Sequence, residues 1–194
     1  MTSVSSLANI HKKGLFGDYK NKSENDLIKI TEIKDVAIYQ IVKFKNSSFD
    51  ISKIKIDNLV FPKALTCSYN SSTRILWMGP DNWVITSSNL KLMKNIKNQF
   101  NENDFAFTDI SHSKTIIEIE GEYVKEIVKK GCPLNINDLN EGECANSLFN
   151  GITITIDFIA NNPKKIRFYG LRSFGESLYH SITDSCLEYG YKAL

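Results

Sequence analysis

The sequence predicts an α+β protein of two small lobes, each an antiparallel sheet with helices packed on one face. Three observations predict it. Short stretches rich in β-branched and aromatic residues recur along the chain, bounded by turn signals such as Gly79-Pro80-Asp81-Asn82 and Asn150-Gly151. Between them lie segments whose apolar residues repeat at helical spacing. The order strand, helix, two or three strands, helix occurs once before about residue 110 and again after it, a pseudo-repeat of plan rather than of sequence.

Residues 1–26 read as an N-terminal tail rich in Ser, Lys and Asn. Its apolar residues Leu7, Ile10, Leu15 and Phe16 have no local periodic element to join. The tail is therefore either a frayed terminus or an arm that orders on a partner, with those four residues as its anchors. The first lobe is expected over 27–110 as a ferredoxin-like βαββαβ unit. Asp35 to Phe44 reads as a strand, and Ser47 or Ser48 can cap a short helix running to about Asp57. Leu65 to Tyr69, Thr73 to Met78, Trp83 to Thr86 and Phe105 to Ile110 read as strands. Between the last two, Ser87 or Ser88 can cap a helix to Phe100 that turns Leu90, Met93, Ile96 and Phe100 inward.

The second lobe is expected over 111–194. Lys114 to Glu120 alternates as a strand, and Glu122 to Lys130 reads as a helix that a left-handed Gly131 can end. Cys144 to Phe149 and Ile152 to Phe158 form a hairpin about Asn150-Gly151. Lys165 to Tyr169 follows the turn Asn161-Asn162-Pro163. The spacing of Ser173 and Glu176 predicts a capping box for a last helix carrying Phe174, Leu178, Ile182 and Cys186, with Gly190 at its end.

The chain has 194 residues, of which 42% are hydrophobic and 24% charged, so wholesale disorder is excluded. Lys and Arg number 24 against 22 Asp and Glu, a net charge of +2. That balance, with only Arg74, Arg167 and Arg172 as arginines, argues against a nucleic-acid partner. No apolar run is long enough to span a membrane, and the N-terminus lacks the pattern of a secretion signal. Four scattered cysteines make no disulfide framework. The expected setting is soluble, reducing and cytoplasmic.

Candidate chemistry is sparse. Cys132 could act as a nucleophile, but only His112 lies near it in sequence, and a free cysteine is commonly a small buried apolar group. His112 could be a general base or a turn residue capping backbone groups. His180 reads as a surface or boundary residue. Asp81, Asp109 and Asp157 are isolated carboxylates, and Asp157, opposite in parity to Ile154 and Ile156, should point to solvent or a partner. Trp77 and Trp83 could stack a ligand but read better as core. Arg172, just before the last helix, could join an anion site or a surface salt bridge. No catalytic, cofactor-binding or metal-binding residue is assigned.

Four stretches carry a resemblance. They are Leu76-Trp-Met-Gly-Pro-Asp-Asn-Trp83, Asp109-Ile-Ser-His-Ser-Lys-Thr115, Lys130-Gly-Cys-Pro-Leu-Asn135 followed by Gly142-Glu-Cys-Ala145, and Leu171-Arg-Ser-Phe174. In this order and spacing the chain resembles the gamma subunit of heterotetrameric sarcosine oxidase from about residue 30 onward. The resemblance implies a fold like the folate-binding domain of glycine-cleavage aminomethyltransferases. It implies a structural subunit that docks mainly on the alpha chain of a complex with beta and delta subunits. That complex oxidises sarcosine to glycine with tetrahydrofolate and oxygen, yielding methylenetetrahydrofolate and hydrogen peroxide. FAD, FMN, NAD, tetrahydrofolate and zinc would sit on the other subunits and none on this chain. The aminomethyltransferases carry acidic residues for folate just after the hairpin glycine, whereas here Gly151-Ile-Thr-Ile-Thr155 has none before Asp157. The other reading of that fold is a free-standing folate or one-carbon binding protein.

Overall fold

The computed structural model describes residues 5–194, the side chains of 92–94 excepted. The first four residues of the expected tail, and Met93 of the expected helix face, therefore lie outside the described residues. In chain order the strands are β1 (Gly14–Phe16), β2 (Ile28–Glu32), β3 (Ala37–Lys43), β4 (Lys55–Ile56), β5 (Leu59–Val60), β6 (Cys67–Tyr69), β7 (Thr73–Gly79) and β8 (Asn82–Ser87). They continue with β9 (Phe105–Asp109), β10 (Lys114–Glu120), β11 (Cys144–Phe149), β12 (Ile152–Asn161), β13 (Lys164–Leu171) and β14 (Tyr191–Ala193). The helices are α1 (Leu90–Ile96), α2 (Val124–Gly131) and α3 (Gly175–Cys186). The class is α+β, as expected.

The chain divides into two compact units. One comprises the described residues up to Lys34 with Ser113–Glu141 and Asn146–Leu194, and the other Asp35–His112 with Gly142–Ala145. The first unit is built on a seven-stranded sheet of order β1-β14-β2-β10-β13-β12-β11. β14 runs parallel to β2, while β1–β14, β2–β10, β10–β13 and β13–β12 are antiparallel. Its core joins Ile30, Ile117, Ile119, Ile156, Phe158 and Phe168 of the sheet to Val124, Ile127, Leu178 and Ile182 of α2 and α3, all fully buried. Gly170 lets α3 come close: a Cβ there would meet Leu178 Cδ2 at 2.7 Å.

The N-terminal segment differs from the expected tail. Leu7 is fully buried, β1 pairs with β14, and Phe16 stacks on Tyr191 at 5.1 Å. His11 is held at 2.9 Å from the Tyr179 hydroxyl and at 2.7 Å from the Leu194 carbonyl. Residues 27–34, placed by sequence with the first lobe, supply β2 to this sheet, where Ile28 and Ile30 are buried between β10 and β14, both distant in sequence.

The other unit holds the five-stranded antiparallel sheet β6-β7-β8-β3-β9 and the hairpin β4–β5. Its core gathers Ile41, Ile54, Ile75, Trp83, Ile85, Ile96, Phe100 and Phe105. The helix expected after Ser47 is replaced by one 3-10 turn (Ile51–Lys53), in which Asp50 accepts the Ser52 amide as N-cap, and by the β4–β5 hairpin. Asp57 and Asn58 both take positive φ, the conformation of a tight primed hairpin turn, which local propensity favours over a further helical turn. Ser87 accepts the Asn89 amide before α1, and Ile96 and Phe100 point inward as expected, whereas Leu90 is exposed.

Two helix ends also differ. The expected capping box is not formed: a 3-10 turn occupies Arg172–Phe174, α3 starts at Gly175, and its N-cap has no side-chain hydrogen bond. Gly131 is the last residue of α2 and not left-handed. Its smallness is used instead for close approach, since a Cβ there would meet Asn150 Oδ1 at 2.8 Å.

Candidate functional site

On the helix-free face of the seven-stranded sheet, strand alternation brings six charges into two adjacent rows. In register, Glu118 lies opposite Arg167 and Arg167 opposite Asp157, while Glu120 lies between Lys29 and Lys165. Arg167 Nε donates to Glu118 Oε2 at 2.7 Å. Lys165 bridges Glu120 at 2.7 Å and Glu118 at 3.6 Å, and Lys29 reaches Glu120 at 2.9 Å. Three positive groups thus stand against three carboxylates. Asp157 is fully buried, which corrects the sequence expectation: its side chain leaves the Ile154–Ile156 face as predicted but has no solvent-exposed surface. The Tyr169 hydroxyl lies 3.5 Å from it.

The electrostatics follow from this pairing. Burial pulls the Arg167 guanidinium down, but Tyr169, Glu118 and Asp157 outweigh it and the net shift is upward. The Lys165 hydrogen bond holds the Glu120 carboxyl below its usual range, against the opposing effect of burial, and the same bond raises Lys165. Lys114, at the start of β10, is pushed down by burial alone. Groups that neutralise one another in this way fix strand register and leave little driving force for a proton-transfer step.

A second polar feature of this unit is an open cleft of about 750 Å³ between the N-terminal segment and the β13–α3 turn. Ser5, Ser6, Ser113, Arg172, Glu176 and Ser177 line it. Ser5 donates to Glu32 at 2.5 Å and Ser6 to Thr115 at 2.7 Å, and the Arg172 amide donates to the Ser113 carbonyl. Arg172 stands in the 3-10 turn before α3, just ahead of the last helix as its place in the sequence implied.

The remaining candidates fall into separate places. Cys132 is buried with its sulfur 3.2 Å from the Ser147 hydroxyl. Cys144 is fully buried, and its thiol donates to the carbonyls of Thr66 and Trp77. His112 is exposed, and its neighbour Ser111 does the capping expected there, accepting the Ile38 amide at 2.8 Å and donating to Asp109. His180 is exposed on α3. Asp81 pairs with Lys43 at 3.4 Å. Trp83 is core and Trp77, in register with it, is half-buried. Of the four arm residues, Leu7 is drawn into the chain's own core, Phe16 stacks on Tyr191, Ile10 is half-buried and Leu15 stays 37% exposed. Sequence reasoning missed Glu118 and Arg167, which only the β10–β13 register brings together. Among the described residues, no group of three His, Cys, Asp or Glu side chains is placed to hold a metal ion.

A family model described as the sarcosine oxidase gamma subunit family matches residues 45–188. The chain belongs to that family. Its fold is similar to that of a chain of the heterotetrameric sarcosine oxidase from Corynebacterium sp. U-96, solved with pyrrole 2-carboxylate. There the TM-score is 0.82 at 16% identity, over 96% of this chain and 95% of that one. It is also similar to the glycine cleavage system aminomethyltransferase T from Bartonella henselae, with a TM-score of 0.61 at 8% identity. That match covers 82% of this chain and 46% of the other, so this gamma-family chain spans about half the length of the aminomethyltransferase. At these identities the two likenesses speak for the fold. A sequence comparison with curated proteins gives no match. No helix among the described residues is long and apolar enough to cross a membrane.

Proposed function

We propose that this chain is a structural, non-catalytic subunit of a heterotetrameric sarcosine-oxidising complex. It docks mainly on the alpha subunit, beside beta and delta subunits. The family match over 45–188 carries the reading. Two features of the chain support it. The charges on its largest sheet face pair with one another, and three of its four cysteines are buried. In this reading the complex demethylates sarcosine to glycine and delivers the carbon to tetrahydrofolate, with hydrogen peroxide as the product of oxygen. FAD, FMN, NAD, tetrahydrofolate and zinc belong to the sister chains. Folate does not suit this chain, because the first carboxylate after Gly151 is Asp157, which is fully buried and set against Arg167.

A stable contact of this kind buries on the order of 2,000 Å² or more, around a few apolar anchors. Of the arm residues Leu7, Ile10, Leu15 and Phe16, Leu15 keeps the most surface for that role. Co-expression with alpha, beta and delta chains tests the reading: a stoichiometric complex is expected. A chain that stays monomeric beside them, and that binds reduced folate at submillimolar concentration by calorimetry, would instead be a free-standing one-carbon carrier.

A further inference from the structure

Four asparagines of the chain are followed by glycine or serine: Asn46, Asn70, Asn146 and Asn150. In such pairs the next backbone nitrogen reaches the asparagine carboxamide carbon most readily, because no bulky side chain stands in the way. The fold engages three of them. Asn70 Oδ1 accepts the Ser72 and Thr73 amides at 2.9 and 2.8 Å, and its Nδ2 donates to the Asp57 carbonyl. Asn146 Oδ1 accepts the Thr155 hydroxyl at 2.7 Å. Beside Asn46 the attacking nitrogen is committed, since the Ser47 amide donates to the Phe44 carbonyl at 3.0 Å.

Asn150 is not engaged in this way. It is exposed in the two-residue turn between β11 and β12, at φ 47°, and Gly151 follows at φ 81°. Its backbone amide is anchored on the Gly131 carbonyl at 2.8 Å. Its carboxamide and the Gly151 amide have no hydrogen-bond partner among the described residues. Nothing lies within 4 Å of the place a Gly151 Cβ would take, so the glycine can swing its nitrogen towards Asn150 Cγ without a clash. An open cleft of about 480 Å³, lined by Asn150, His180, Ser181 and Asp184, gives water access to the same place.

We propose that Asn150 is a site of spontaneous deamidation, and that the isoaspartate it yields loosens the β11–β12 hairpin. The Gly151 nitrogen attacks Asn150 Cγ and closes a succinimide ring. The new N–C bond replaces the C–N bond of the carboxamide, and ammonia leaves with the proton lost from Gly151. Water then opens the ring at either carbonyl, giving aspartate or isoaspartate, with no change of oxidation state. Isoaspartate adds one carbon to the backbone of a turn whose geometry is set by two residues. Phe149, directly before it, is fully buried and packs edge-on against Phe168 at 5.5 Å, so a lengthened turn disturbs the core.

The test ages the folded full-length chain in warm, mildly alkaline buffer and maps its peptides by mass spectrometry. The Asn150 peptide is expected to turn from amide to acid at least tenfold faster than those of Asn46, Asn70 and Asn146. Part of the product should be labelled by an isoaspartyl methyltransferase. Asn150→Gly, which keeps a turn of two residues suited to positive φ, should abolish the label. The isoaspartate form, separated by ion exchange, should melt below the fresh chain, whereas Asn150→Asp should melt with it. An Asn150 that converts in urea but stays intact in the folded chain would mean that the turn protects it, and would overturn the proposal. Equal conversion at Asn70 or Asn146 would overturn the assignment of the site. An isoaspartate form that melts with the fresh chain would overturn the effect on the hairpin.

Discussion

Arg167 and Asp157 lie in register across the β12–β13 pair, one partly and the other fully buried, with Glu118 on the far side of the arginine. The guanidinium is therefore the positive centre of a three-strand row.

Removing that centre leaves two carboxylates without their main counter-charge in a partly desolvated sheet. Arg167→Met should cost about 3–5 kcal/mol, the range for breaking one side of a buried pair. Replacing all three members of the row by uncharged residues of similar volume should cost less than the single change. Urea denaturation of both variants checks this, and equal losses would mean that the row is not electrostatically coupled.

The second row sets a pH dependence. The folded pKa of Glu120 lies below its unfolded value, so its contribution is present above about pH 4.3 and is lost as pH falls through the lower folded value. Lys165 is raised, so its contribution is complete below about pH 10.4 and is lost as pH rises through the higher folded value. Glu120→Gln should flatten the acid limb of a stability profile below about pH 4.3 and leave the neutral plateau's shape unchanged. An unaltered acid limb would place that loss elsewhere.

Thiol reactivity should separate the cysteines. Cys144 and Cys186 are fully buried, Cys132 nearly so, and burial pushes the Cys186 thiol up to about 12. Cys67 is half-buried, with the Arg74 guanidinium donating to its sulfur at 3.1 Å, and so is the accessible thiol of the four. Native protein should react rapidly with one equivalent of a thiol reagent, and denatured protein with four. Cys67→Ser should abolish the fast equivalent.

Leu7 should behave as core. Leu7→Ala is expected to cost about 2–5 kcal/mol, the range for a buried leucine whose site cannot collapse. Thermal or chemical unfolding measures it. A cost within experimental error would return the N-terminal segment to the status of a loose arm.

What could be read from the sequence was whatever its local pattern encodes. The β11–β12 hairpin announces itself through Asn150-Gly151, and the buried faces of β10 and α2 follow from the alternation of Ile117 with Ile119 and the spacing of Val124 with Ile127. The burial of Cys132 was also legible. Long-range pairing was not. Nothing near Ile28 or Leu15 signals that a three-residue strand at Tyr191–Ala193 will lie between β1 and β2. Nothing near Glu118 names Arg167 as its partner. The Asp57-Asn58 turn was available to local reasoning, but the apolar spacing of Phe49, Ile51 and Ile54 masked it as a helix.

The insertion of β14 between β1 and β2 has a bearing on biosynthesis. Asp35–His112 emerges from the ribosome as nearly a whole unit, able to close its own sheet early. Its neighbour is split around it and must keep Ile28 and Ile30 waiting for Tyr191–Ala193, which follow only after the whole of the other unit. During that interval an apolar strand edge stands open, so the nascent chain depends on speed or on chaperone cover more than its modest size suggests.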